Sequence, residues 1–335
     1  MLSSEHRYPA LSGASFGPHP KEFPSGSGHH LQDLLAKGLA EFGHEVLYHL
    51  RRPPDQPLPP GVTWISKPDA TVDIYHHGGV RGEDVIEFIR SYGKPWVTTC
   101  HVDRYPWNAH LWYVGRNSIF VSKHLAASHN SDRYVHNGLD PSRYVYSAAK
   151  QDYFLFMSAA ERARDKGLET AFEISRRTGI RLVVAGTGLS YPNIREIEQI
   201  CKENGADYVG DTQGTEKQDL FAGAKALLFP TRLNEAFGLV MLEALLSGTP
   251  VIASAKGACP EVIVPQVGFI CHELDDYLAA VEHLGKIRPE ACRDYAAERF
   301  HYRRMTAGYI REYEVELARG ACSGLASISL PASHV

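Results

Sequence analysis

Two periodicities of apolar residues run along this chain. In "LQDLLAKGLAEFGHEVLYHL", Leu31, Leu34, Leu35, Leu39 and Phe42 recur three or four positions apart, the spacing of one helical face. Gly43 then serves as a helix stop, and "EVLYHL" reads as a strand. The loop "RRPPDQPLPPG" is too rich in proline for either element. A strand is expected at Asp73 to Tyr75, a short helix in "EDVIEFIRSYG", and a strand in "PWVTTCH" that ends at His101. "SIFVSKHLAASH" is a strand running into a helix. Strand and helix alternating in this rhythm predict a parallel sheet with crossover helices.

A turn-rich stretch, Asn137 to Phe154, separates this series from a second one. There "YFLFM", "IRLVVAG", "ADYVG", "KALLFP" and "TPVIAS" read as strands. Helical patterns lie between them, among them "LETAFEISRRTG", "IREIEQICKENG" and "LVMLEALLSG". The pattern predicts an α/β chain with two parallel-sheet domains facing across a cleft. They are expected at residues 1–145 and 150–300, with a tail at 321–335. Sheets of this kind bind ligands beyond the carboxyl ends of their strands.

Composition narrows the function classes. Lysine and arginine number 35 against 39 aspartate and glutamate, and the resulting charge of −4 argues against a nucleic-acid partner. The six cysteines are scattered without a CxxC pair, so reduced thiols are expected rather than a disulfide framework. No apolar run approaches the roughly 18 residues of a membrane span. The start, "MLSSEHRYPALSG", lacks the basic-then-apolar shape of a signal peptide, which makes the cytoplasm the default compartment. No compact metal-ligand set is evident. His76 and His77 are adjacent, and adjacent strand residues point to opposite faces. A P-loop is absent, and "AGTGLS" lacks the third glycine of a dehydrogenase fingerprint.

The stretch richest in chemistry is "LLFPTRLNEAFGLVMLEALLSGTPVIA". A buried strand ends at Pro230, a loop follows, and a helix begins at Gly238 or Leu239. Leu239, Leu242, Leu245 and Leu246 face the sheet by helical geometry. The unpaired amides of Gly238, Leu239 and Val240 then suit a phosphate, which the glycine allows to come close. Glu243, one turn on, is placed to accept hydrogen bonds from ligand hydroxyls, and Glu235 faces the sugar-like side of the same ligand. On the residues alone three readings stay open. They are a capping and packing pair, a metal or acid/base pair, and a pocket for a hydroxyl-rich phosphorylated ligand.

This stretch resembles the signature of the retaining GT-B glycosyltransferases of family GT4. The matching residues are Glu235, Glu243, Ala244, Gly248, Thr249, Pro250, Val251 and the downstream Glu261. "GHEV" at Gly43 to Val46, "VHNGLD" with Asn137, Gly138 and Asp140, "DKGLETAFEI" with Lys166 and Gly167, and "LVVAGTG" with Gly186 and Gly188 resemble further family motifs in the family's order. The likeness covers the second half almost throughout and the first half in patches.

The resemblance implies a GT-B fold of two Rossmann-like domains, with the helix at 300–320 packing back on the first. It implies a role for each matching position. Glu243 would accept the ribose hydroxyls of a nucleotide sugar. Glu235 would contact the donor sugar beside the backbone of Ala236, Phe237 and Gly238. Leu239 and Val240 would offer amides to the diphosphate, and Tyr208 and Val209 would flank the base. Gly26, Ser27 and Gly28 would approach the distal phosphate from the other domain. His101 would contact the donor sugar and the reacting centre, and Lys166 the diphosphate. One departure stands out. Ser158 and Ala159 occupy the family's glycine–arginine place, so Arg162 or Arg164 is the candidate replacement.

The implied activity is transfer of a sugar from a nucleoside-diphosphate sugar, UDP- or GDP-linked, to a hydroxyl acceptor. The acceptor is a small molecule, natural product or oligosaccharide. No metal or resident cofactor takes part, the anomeric configuration is retained, and transfer is front-face, by a monomer or homodimer. The alternatives are an epimerase or phosphorylase of the same fold, or a non-catalytic nucleotide-sugar-binding protein.

Overall fold

The computed structural model describes residues 27–49, 57–78, 90–102, 114–186 and 191–325, together with residues 53 and 87. Helix α1 (Ser27–Glu41) buries Leu31, Leu34, Leu35 and Leu39 along one face. Phe42 does not share that face and is 50% exposed. The helix ends at Glu41 and Gly43, at φ 88°, turns the chain away before another helical turn can form.

Two parallel strands follow, β1 (Val46–His49) and β2 (Val62–Ile65), paired from Val46 with Val62 to His49 with Ile65. The sequence pattern does not announce β2. It is four residues long, follows a proline-rich loop and shows no apolar/polar alternation. The neighbouring strands are β3 (Tyr75–His77), β4 (Trp96–Cys100) and β5 (Ser118–Phe120), again all parallel. β3 lies two residues later than Asp73–Tyr75, because Tyr75 N donates to Pro95 O and the register pairs Tyr75 with Trp96. His101 lies one residue beyond β4. Helix α2 (Lys123–Ser128) begins at a Ser122 cap.

The second sheet has six parallel strands in the order β11-β10-β9-β6-β7-β8. They are β6 (Tyr153–Met157), β7 (Arg181–Ala185), β8 (Asp207–Gly210), β9 (Ala226–Phe229), β10 (Val251–Ser254) and β11 (Gly268–Cys271). Between and after them run α3 (Leu168–Thr178), α4 (Tyr191–Glu203), α5 (Gly214–Gly223), α6 (Leu239–Leu246), α7 (Cys259–Val262), α8 (Leu274–His283) and α9 (Pro289–Arg299). β9 and β10 are buried at every position, as continuous apolar runs between two helical layers should be. The architecture is thus two Rossmann-like parallel-sheet domains with helices, the described strands of the first domain falling into a two-stranded and a three-stranded ladder.

The two sheets are joined twice, and the two joining segments pair with each other. Leu139 N donates to Phe300 O and Tyr302 N to Leu139 O, each at 2.9 Å. Only glycine fits at 138, where a Cβ would lie 2.6 Å from His301 O. The last helix, α10 (Tyr302–Leu325), then lies on α1 and β4. A Cβ at Gly38 would stand 2.1 Å from Thr306 Oγ1, so the absence of a side chain there sets the close approach of α1 to α10. A buried polar chain fixes the helix to the first sheet. His76 Nδ1 is 2.6 Å from the Tyr313 hydroxyl and its Nε2 2.8 Å from Thr99 Oγ1, which is itself 2.8 Å from the Tyr309 hydroxyl.

Candidate nucleotide-sugar site

The second sheet reverses its winding at β6. The chain adds β7 and β8 on one side, then returns to add β9, β10 and β11 on the other. The loops leaving β6 and β9 therefore part in opposite directions, which opens a crevice beyond the carboxyl ends of these strands. The first loop carries Lys166 and the second carries Glu235. The Lys166 ammonium donates to the Glu235 carboxylate across the gap, with both side chains largely buried.

Glycines hold this pair. Gly167 is left-handed at φ 84°, and a Cβ there would stand 2.0 Å from Pro230 O. Arg232 N donates to Asp165 O at 2.9 Å, so the two loops are tied by backbone as well. On the far side Ala258 N donates to Glu235 O at 2.8 Å, and Gly257 comes so close that a Cβ would lie 2.2 Å from Glu235 N. The carboxylate is presented from a backbone gripped on both sides, so it has little freedom to move.

Three residues on, Gly238 takes φ 84° and starts α6 without a side-chain cap. The first amides of a helix have no partner inside it, so those of Leu239 and Val240 are donors at this end. Met241, Leu242, Leu245 and Leu246 are buried, whereas Leu239 is half-buried at the mouth of the crevice. Phe237 points away from the crevice into an aromatic cluster, 5.9 Å from Phe300 and 5.8 Å from His136. Its backbone, with that of Ala236, remains in the loop beside Glu235. Glu243 accepts a 2.8 Å hydrogen bond from Lys217 on α5. Lys217 is a residue that the sequence pattern does not mark, because a lone lysine in a polar helical stretch carries no signal.

Ser27 and Gly28 form the first turn of α1, while Gly26 falls outside the described residues. His30, in the same turn, is buried, and its pKa is pushed down to about 3. Burial is the main cause, followed by the nearby charges of Arg143 and Lys217. Arg143 and Lys217 thus both act electrostatically on the start of α1. His101 is half-buried one residue past β4, and its charge bears on His76, which burial above all keeps neutral.

The other sequence candidates lie as follows. Arg162 is near Asp165 at 3.6 Å and Arg164 bonds Glu196 of α4 at 3.0 Å, both as exposed pairs. Ser158 is packed against Gly186, where a Cβ would stand 1.8 Å from Ser158 O. The Tyr208 hydroxyl donates to Gly186 O at 2.7 Å, and Val209 is exposed on the edge strand β8. Gly188 lies outside the described residues.

Glu261 of α7 has a part that its place in the signature did not reveal. Its carboxylate accepts from the amides of Lys123 (2.8 Å) and His124 (2.6 Å) and lies 2.8 Å from His136 Nε2. It thus caps α2 and clasps one sheet to the other. Burial alone would raise its pKa, but the hydrogen bonds from His136 and the two amides outweigh this and hold it below the ordinary value. Cys100, Cys201, Cys259, Cys271 and Cys292 are free and buried. Burial, aided by the charge of Glu235, pushes the Cys259 thiol up to about 12, so it is no nucleophile at neutral pH. Among the described residues no group of three histidine, cysteine or acidic side chains is placed to hold a metal, and no helix is long and apolar enough to cross a membrane.

Comparison with known proteins bears on the fold and on the second sheet. Residues 145–299 match the family described as Glycosyl transferases group 1. Over 184 residues the chain is 30% identical to the D-inositol 3-phosphate glycosyltransferase of Saccharomonospora viridis, covering 50% of this chain and 40% of that one. The chain spans less than half the length of the curated relatives it matches, 34% and 40% for two of them. AviGT4, a glycosyltransferase involved in avilamycin A biosynthesis, superposes with a TM-score of 0.69 at 23% identity, over 87% of this chain and 90% of that one. HepE of Anabaena, solved in complex with UDP, gives 0.68 at 15% identity over 94% and 98%. The fold is therefore GT-B, and residues 145–299, which carry Lys166, Glu235 and Glu243, are related to the group 1 glycosyl transferases.

Proposed function

We propose that the chain is a retaining glycosyltransferase that moves a sugar from a nucleoside-diphosphate sugar to a hydroxyl acceptor without a metal. The observation that carries this reading is the Lys166–Glu235 pair at the point where the sheet reverses, beside the uncapped start of α6. Cation, amides and carboxylate there match the parts of a sugar diphosphate in order. UDP bound to HepE, a protein of the same fold, supports a uridine donor over a guanosine one.

In this reading the donor exchanges the internal pair for its own groups. The diphosphate takes the Lys166 ammonium and the amides of Leu239 and Val240, while the sugar hydroxyls take the Glu235 carboxylate. The ribose hydroxyls reach Glu243, with Lys217 holding that carboxylate in place. Tyr208 and Val209 flank the base. Ser27 and Gly28 approach the distal phosphate and His101 the sugar, both from the first domain. The first domain comprises residues 1–145 braced by helix 300–320, and residues 150–300 form the donor domain.

Transfer follows from the charge that develops. As the bond from C1 to the β-phosphate oxygen breaks, negative charge grows on the diphosphate, where fixed cations and aligned amides stabilise it. The acceptor hydroxyl attacks C1 from the face just left, and its proton passes to the departing phosphate oxygen. The products are a glycoside of unchanged anomeric configuration and a nucleoside diphosphate. Arg162 and Arg164 are both turned to surface carboxylates, so the phosphate clamp rests on Lys166 and the helix amides.

The test is a thermal-shift panel of nucleoside diphosphates and their sugars, followed by product analysis across an acceptor panel. A ligand that binds only the native state raises the unfolding temperature. A shift with a nucleoside diphosphate and a new glycoside in the product mixture is expected. Strong binding with no glycoside from any acceptor would favour a non-catalytic nucleotide-sugar-binding protein. No shift with any nucleotide would remove the reading altogether.

A further inference from the structure

A polar recess of about 270 Å³ lies where the two joining segments meet, lined by residues 134–137 of the first crossing and residues 299–301 of the second. Its charge is one-sided. Arg299, Arg304 and Arg311 line it together with His136 and His301. The one acidic residue lining it, Glu312, bonds Arg133 Nε at 2.8 Å and so is already neutralised. Among the described residues no carboxylate pairs with any of the three arginines, and Arg304 donates to the backbone oxygen of Glu298 at 3.4 Å.

The shape has a simple origin. Arg304, Gly308 and Arg311 follow at intervals of four and three, so they share one face of α10. Gly308 packs so close to Val135 that a Cβ would lie 2.8 Å from its Cγ1. The helix therefore offers two exposed guanidinium groups, one on either side of the point where Val135 covers its backbone.

We propose that this recess binds a small, soluble, phosphate-bearing anion. Guanidinium forks match phosphate oxygens in pairs, and three cations suit a di- or trivalent anion better than a single carboxylate. The buried Asn137, also in the wall, adds a neutral polar side chain. His136 and Phe300 line the recess and also contact Phe237, in the loop that carries Glu235. Binding there is felt at the crevice through that cluster, and it favours the arrangement in which the two crossings lie together.

Calorimetric titration of the full chain with inorganic pyrophosphate at low salt tests the site in three proteins: unaltered, Lys166→Ala, and Arg304→Ala with Arg311→Ala. Both arginines are exposed, so the double variant should unfold at an unchanged temperature. If it does not, Arg304→Lys with Arg311→Lys keeps the charge and loses only the forks. A pyrophosphate site that survives Lys166→Ala and weakens at least tenfold in the arginine variant is the expected result. Affinity unchanged by both arginine variants overturns the proposal, as does loss of all binding in Lys166→Ala. A further arm uses phosphatidylglycerol vesicles. Vesicle binding that vanishes in the arginine variant, with no pyrophosphate binding in the unaltered protein, would assign the face to a membrane and overturn the soluble ligand.

Discussion

Lys166 and Glu235 stand 69 residues apart in sequence and form an ion pair at the point where the second sheet reverses its winding. Each is anchored by a left-handed glycine packed against the neighbouring loop, Gly167 on one side and Gly257 on the other. A cation and a carboxylate held this firmly are arranged in advance, so little reorganisation is needed when a ligand separates them.

Lys166→Ala removes the main side-chain cation of the crevice. Affinity for the preferred nucleoside diphosphate should fall by about 1.5 to 3 kcal/mol, the scale of a hydrogen bond to a charged group. The corresponding monophosphate should lose much less. Side-by-side titrations decide the matter, and an equal loss for the two ligands would show that Lys166 does not read the distal phosphate.

Glu235→Gln preserves size and removes charge. Turnover should drop at least a hundredfold while nucleoside-diphosphate affinity changes less than threefold, because in the proposed function the carboxylate addresses the sugar. Initial rates and calorimetry on one preparation are sufficient. A parallel loss of rate and nucleotide affinity would place this carboxylate on the nucleotide instead.

Glu243→Ala should cost nucleotide affinity about 1 to 3 kcal/mol. The control is Lys217→Met, which removes the partner at 2.8 Å and leaves the carboxylate. Nucleotide affinity should survive that change within a few-fold. If the two variants lose the same affinity, the ion pair matters for structure and Glu243 does not bind ribose.

Stability should fall as the solution is acidified below about pH 6.5, before ordinary carboxylates titrate. His30 is held neutral in the native protein with its pKa lowered to about 3, whereas an unfolded histidine titrates near 6.5. Below 6.5 the unfolded chain takes up a proton that the native one refuses. The contribution is therefore complete above 6.5 and is lost as pH falls toward 3. Over the window from 6.5 to 5 one such proton amounts to about 2 kcal/mol. The buried His76 adds in the same direction. Denaturant curves across this window should be flatter for His30→Gln, and an unaltered slope would contradict the burial of a neutral His30.

Glu261→Ala should destabilise the chain by about 2 kcal/mol, since it strands two amides and His136 that now share one carboxylate. Glu261→Gln, which still accepts hydrogen bonds, should recover part of this. X-ray scattering should also show a looser arrangement of the two sheets in the alanine variant. A scattering curve and a denaturation midpoint both unchanged would falsify the clasp.

Apolar runs and glycines determine a great deal here without help from tertiary structure. "KALLFP" and "TPVIAS" are continuous apolar runs bounded by breakers, which suits strands covered on both faces, and β9 and β10 are such strands. The start of α6 is equally legible, because Gly238 is followed by an apolar helical pattern. Where pairing partners set the register the sequence is a weaker guide. β3 is displaced to Tyr75–His77 by its pairing with β4, and β2 exists only because β1 lies beside it. The same limit holds for the site. The sequence singles out Lys166, Glu235 and Glu243, but their partnerships depend on which strands become neighbours, and that is a property of the winding. Lys217 beside Glu243, His30 near Lys217, and Glu261 capping a helix of the other sheet join residues 26 to 187 positions apart or unite separate domains. No local pattern encodes such pairs, because the chain between them is free to be of any length. The winding of the second sheet brings Lys217 to Glu243, and the packing of both crossings side by side, with Leu139 bonded to Phe300 and Tyr302, brings the residues of the two domains together.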